Sequence, residues 1–221
     1  MTIVNLADIQ ENDQVKILIK KADDNLGALG YTEHGFRHCR LTARAAGRVI
    51  SELGGDPREA EMAGIAGYMH DIGNVMGRRE HDVAGAIMAL RILQEMDMPL
   101  DEAADIAAAI GNHDEEEGRV VNRITAALIL ADKSDVHRSR VRNRDKSTFD
   151  IHDRVNYAVK ESHINIDPEA RKVILSLTID TGISQVMEYF EIFLTRMVMC
   201  RRAAAFLDAR FALIINDVDL L

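Results

Sequence analysis

Between residues 12 and 141 the chain carries six segments with apolar residues at helical spacing, most of them bounded by a glycine, a proline or a capping side chain. That succession constrains the fold more than any other feature, because each amphipathic helix must bury its apolar stripe against another element. "NDQVKILIKKADDNLGALG" (12–30) puts Val15, Leu18, Ile19, Ala22 and Leu26 on one face and ends at Gly30. "EHGFRHCRLTARAAGRVISELGG" (33–55) closes on Gly54–Gly55. "DPREAEMAGIAGYMHDIG" (56–73) opens with Asp56 as N-cap and Pro57 in the first turn, with Gly73 as its expected stop. Segments 81–98, 101–114 and 120–141 read as three further helices. The chain has three prolines and no tryptophan, and it is rich in Ala, Met and Leu, which also favours helix.

The pattern changes near "NRDKSTFD" (143–150). Beyond it "SHINID" and "RKVILSLTID" alternate and read as a hairpin, "SQVMEYFEIFLTRMVMCRRAAAFLDA" (184–209) as a helix, and "RFALIIND" as a closing strand. The expected fold class is therefore mainly α: a helical domain over 1–148 and a small α+β extension over 149–221, with a short antiparallel sheet and one long helix. Val186, Phe190, Phe193 and Met197 form one stripe of that helix, which serves a core or a homodimer interface.

The 221 residues suit one ordinary domain with an appendage. A net charge of −9 argues against a nucleic-acid duplex as partner, since such binding rests on neutralising phosphates. No signal peptide opens the chain, and no apolar run nears the ~20 residues that cross a bilayer. Two cysteines make no disulfide framework, so the expectation is a cytoplasmic protein away from membranes.

Half of the eight histidines precede an aspartate: His70–Asp71, His81–Asp82, His113–Asp114 and His152–Asp153. His70, His81 and His113 fall at ends of the expected helices. His38 lies one turn after His34 on a shared face. Asp132 sits in the apolar run "ALILADKSD", where an ionised carboxylate pointing inward needs a compensating cation. Polar side chains on separate helices that converge are how bundles build metal sites. Mixed imidazole and carboxylate suit Fe, Mn, Ni, Co or Zn. Cys39, next to His38, faces another way.

The order His38, His70–Asp71, Asp132 resembles the HD superfamily of metal-dependent phosphohydrolases. "HCRLTARAA", "AGYMHDIGN" and "ILADKSD" resemble its first ligand helix, its "HDIGK" signature and its closing "ADxxD" segment. The likeness covers about residues 30–145. It implies an HD-domain helical bundle and one metal held by His38, His70, Asp71 and Asp132. Asp71 would bridge to a second metal held by His81 and His113, and a water acidified by the cations would attack phosphorus in a small phosphorylated substrate. Two departures stand out. The signature lysine is Asn74 here. In place of the paired histidines and "GYP" motif of the branch that cleaves cyclic dinucleotides, this chain has Asn112–His113 and no "GYP", which argues against that substrate.

Around this set, Asp71, His34 and Lys133 are the expected catalytic groups, and Asp135 is placed to bond a ligand histidine. The loop "GRRE" and the basic island "DKSDVHRSRVRNR" (132–144) offer Arg78, Arg79, Arg138 and Arg140 as phosphate contacts, with Asn74 beside them. Read as a helix from Lys133, the island puts His137, Arg140 and Arg144 on one face and Arg138 and Arg142 on another. The alternative is a surface island paired with acids such as Glu115, Glu116 and Glu117. His137, His152 and His163 read as non-ligands. Two rival functions use the same residues: a di-iron oxygenase, and a ligand-sensing module with a vestigial site.

Overall fold

The computed structural model describes residues 3–115 and 118–220; Glu116 and Glu117, suggested above as ion-pair partners, lie outside the described residues. The expected helices form, and a short one precedes them: α1 (Leu6–Glu11), held by a reciprocal cap between Asn5 and Asp8. α2 (Asp13–Ala28) buries Val15, Ile19, Ala22 and Leu26, with Leu18 at the margin. α3 (Phe36–Glu52) and α4 (Pro57–Met69) pack closely, and α4 starts as expected, with Asp56 accepting a bond from the Arg58 amide. α4 ends at Met69, and a 3-10 turn, Ile72–Val75, follows. α5 (His81–Glu95), α6 (Leu100–Ile110) and α7 (Arg123–Asp132) complete the bundle. Every residue from Ile124 to Ala131 is buried, since α7 runs through the middle against α3, α4, α6 and a later helix.

The segment read as one helix over 120–141 stops at Asp132. Side-chain bonds to backbone capture the chain there: the Ser134 hydroxyl donates to the Ala131 carbonyl at 2.7 Å, and the His137 ring accepts from the Ser139 amide at 3.1 Å. Such bonds compete with helix continuation. Residues Arg138–Arg140 make a single 3-10 turn. The two helical faces expected for the basic island therefore do not exist.

The C-terminal part holds α8 (Ile151–Ala158), β1 (Val159–Asp167), β2 (Lys172–Ile179), α9 (Val186–Phe206), β3 (Arg210–Ile215) and β4 (Val218–Asp219). The strands lie in chain order in one sheet. β1–β2 is the expected hairpin, and β3–β4 is also antiparallel. The middle pair, β2–β3, is parallel, which corrects the expectation of a purely antiparallel sheet. The reason is α9: a helix between two strands returns the chain to the end where it began. α9 packs on α7 and sinks Phe193 and Met197 into the core, with Val186 and Phe190 partly covered. Among the described residues no helix is long and apolar enough to cross a membrane.

Candidate metal centre

Helix ends supply the cluster. His38 lies in the first turn of α3, His70 caps the end of α4, Asp71 opens the 3-10 turn, His81 begins α5, His113 follows α6 and Asp132 closes α7. The four histidines are buried. Each is tied outward at Nδ1: His38 to Asp135 Oδ2 at 2.8 Å, His70 to the Gly67 carbonyl at 2.9 Å, His81 to the Arg78 carbonyl at 3.0 Å, and His113 to the Ile110 carbonyl at 2.6 Å. These oxygens only accept, so Nδ1 donates and Nε2 is turned inward. The rings pack edge to face, His38–His70, His70–His113 and His113–His81, with centroids 5.0–5.1 Å apart.

Nε2 of His38 lies 3.2 Å from Nε2 of His70 and 3.2 Å from Asp132 Oδ1; His70 Nε2 lies 3.2 Å from Asp71 Oδ2. Three overlapping groups have ligand atoms within 4.8 Å of one another: His38, His70 and Asp71; His70, His113 and Asp132; Asp71, His81 and His113. Among the described residues Asp71 Oδ2 is buried without a hydrogen bond, with Nε2 of His70 and of His38 beside it at 3.2 and 3.6 Å. An orphaned carboxylate oxygen among imidazole nitrogens fits a divalent cation, and of the residues shared between two groups, His70, Asp71 and His113, Asp71 alone offers two ligand oxygens.

Electrostatics agree. Burial pulls the His70 imidazole down, but Asp71 and Asp132 outweigh it and raise it to about 10. Burial pushes Asp71 and Asp132 up, yet His70 beside the first and Lys133 beside the second hold both well below the usual carboxylate range. A positive charge is what this cluster requires.

A cavity of about 510 Å³ borders the cluster at Asp71, His113 and Asp132. His34 lines it, with Nδ1 donating to the Thr32 carbonyl at 2.7 Å and its ring 5.6 Å from that of His38; burial, then Arg140, lowers its pKa well below the ordinary imidazole value. Lys133 Nζ sits 2.7 Å from Asp132 and 2.6 Å from Glu115, and Glu115 takes Arg196 of α9 at 2.9 Å. The alternative reading of the basic island as paired with Glu115 therefore holds for Lys133, but in a largely buried chain rather than at the surface, and the link to Arg196 was not foreseen. In the sequence Glu115 is one of a run of acids and carries no distinguishing mark. His152, read as a bystander, lines the cavity beside Asp150 and Asp153; it belongs to none of the metal groups.

The expected phosphate contacts divide. Arg78 and Arg140 line the cavity. Arg140 spends its guanidinium on the Glu33 and Asp135 carbonyls, at 3.0 and 2.7 Å. Arg79 is outside the main cavity but lines a second one with Arg78 and His81, its side chain 95% exposed. Arg138 lies over the Tyr157 ring at 5.2 Å, outside the cavity lining. Asn74 is fully buried and faces Asp71 instead: Nδ2 donates to Asp71 Oδ1 at 2.8 Å and to the Asp71 carbonyl at 3.0 Å. It sits where a helical turn after Asp71 must place it, beneath the carboxylate.

With this geometry in place the relatives are informative. The chain belongs to the HD domain family, whose model matches residues 35–173 and so reaches through α8 and β1 into β2. The family falls in a superfamily of metal-dependent phosphohydrolases. The chain is also 25% identical over 203 residues to an uncharacterized protein of Methanocaldococcus jannaschii, a match that spans 80% of this chain and 78% of the relative.

Proposed function

We propose that this chain hydrolyses a phosphate ester of a small molecule, a nucleotide or related compound, at a centre of one or two divalent transition ions (Fe, Mn, Ni, Co or Zn). The observation that carries the reading is the convergence of four buried imidazoles on Asp71 and Asp132 beside a cavity whose lining mixes cations, among them Arg78 and Lys133, with carboxylates. His38, His70, Asp71 and Asp132 are our ligands for one ion, and Asp71, His81 and His113 for the second. A volume of about 510 Å³ suits a small substrate. When bound, the ions acidify water and offset charge on phosphoryl oxygens.

The chain's own groups do the rest. Asn74 fixes one oxygen of Asp71 and leaves the other to the imidazoles. Neutral His34 presents Nε2 to accept a proton. Lys133 keeps Asp132 ionised and adds positive charge at the cavity. Arg78 is the phosphate contact we favour; Arg140 acts by bracing Asp135.

The test is phosphate release from a panel of nucleotides and sugar phosphates with Mn²⁺ or Ni²⁺. Release that disappears in Asp71→Ala supports the reading. Oxygen consumption by the iron-loaded protein with no phosphate release replaces it with the oxygenase.

A further inference from the structure

Arg78 occupies the coordinating face of His81. The His81 Nδ1 proton goes to the Arg78 carbonyl, so Nε2 carries the lone pair. Arg78 Nη1 lies 3.1 Å from that Nε2. Arginine has donors and no acceptor, so Nη1 donates and Nε2 accepts. Nη2 of the same guanidinium lies 3.5 Å from Asp114 Oδ1. One residue thus grips both ring nitrogens, with its main chain and its side chain. The lone pair it uses is the one that an ion shared with Asp71 and His113 would take.

The other half of the cluster differs. Nε2 of His38 and of His70 meet each other and the carboxylates of Asp71 and Asp132, and among the described residues no guanidinium stands on either. Arg78 also has somewhere to go. It lines the main cavity and a second one of about 580 Å³, where Glu80, Asp82, Asp114 and Glu115 outnumber the other cation, Arg79. Its side chain is 28% exposed.

We propose that Arg78 is an internal competitor for the second metal ion. Its guanidinium holds His81 Nε2 while one ion is bound, and a second ion enters as the side chain swings off Nε2 within the two cavities it lines, one of which is the main cavity where it meets phosphate. The two ions therefore bind with unequal affinity. This rests on the cluster being a metal centre.

The experiment counts Mn²⁺ bound to the full chain by electron paramagnetic resonance of the free ion, for wild type, Arg78→Gln and Arg78→Ala. The expected wild-type result is one tight site and a second at least about tenfold weaker, the scale on which groups around ligands act. Both variants tighten the second site by about tenfold or more and leave the first within about threefold. His81→Ala abolishes the second site in each background. Two equal sites in wild type, or a weak second site that neither variant improves, overturn the proposal. Wild type that binds no Mn²⁺ overturns the metal-centre reading and this proposal with it. The glutamine variant, with circular dichroism, guards against an alanine variant that misfolds.

Discussion

Asp135 Oδ2 lies 2.8 Å from Nδ1 of His38, and the same carboxylate takes Arg37 at 2.8 and 3.3 Å. Burial pushes the Asp135 carboxyl up, but Arg140, His38 and Arg37 outweigh it and hold it ionised. A carboxylate behind an imidazole aims the ring and raises its basicity toward a cation.

Asp135→Asn is accordingly expected to weaken the tighter metal site by about 10–100-fold. A metal-buffered titration measures it. Asp135→Ala also removes the carboxylate 3.7 Å from Arg140 Nε while the guanidinium keeps its two carbonyl partners, and it is expected to lose about 1–3 kcal/mol of stability in urea. Unchanged metal affinity in both variants would reduce Asp135 to a structural brace.

Gly67 lets α3 and α4 approach. A Cβ there would meet the Ala43 backbone at 2.8 Å from Cα and 2.9 Å from N. Gly67→Ala must push the helices apart, at a cost of about 1–3 kcal/mol. His38 and His70 lie on these two elements, so metal affinity should fall with Tm. Gly64→Ala is the control, since its Cβ meets the Leu6 side chain at 3.3 Å, a contact that can yield. Equal effects from the two substitutions would rule out close approach at Gly67 as the cause.

Glu188 joins α8 to the start of α9. It accepts from Arg154 at 2.6 Å and from the Ser184 hydroxyl at 2.6 Å. Those bonds, Arg154 first, lower its carboxyl from 4.5 to about 2. A carboxyl depressed in the folded state stabilises above its unfolded value and loses that contribution as protons bind. The Tm advantage of wild type over Glu188→Gln should be full above about pH 5, shrink below 4.5 and vanish near 2. Added salt should reduce it, because the pair is partly exposed. An advantage independent of pH would refute the ion pair as its source.

Both cysteines are buried and free. Burial pushes the Cys200 thiol up to about 12 and Cys39 well above its usual value. The thiolate is the reactive form. Ellman's reagent at pH 8 should label neither thiol in the native protein and both in denaturant. Rapid native labelling would contradict the packing of α3 or α9.

Much of the fold is legible in the residues. α4 follows from Asp56 and Pro57, and the buried face of α2 from its apolar spacing, because caps and periodicity are local chemistry. The end of α7 is less legible. "ADKSDVHRSR" keeps enough helix formers to read as helical, and only the bonds made by Ser134 and His137 show that it is not. Strand direction is equally hidden: β2 and β3 carry no mark of parallel pairing apart from the length of α9 between them.

The six expected metal ligands are what the resemblance to the HD superfamily implies; residue type and helix-end placement by themselves mark only candidates, because coordination demands imidazole and carboxylate and helix ends can bring them together. The direction of each neighbouring side chain does not follow from these. Asn74 turns to Asp71, Arg79 to solvent, Arg78 to His81, and Glu115 joins Lys133 to Arg196, which lies 81 positions after Glu115. Those outcomes depend on which groups from distant segments packing makes adjacent. A buried charge takes whatever partner the tertiary structure places within reach.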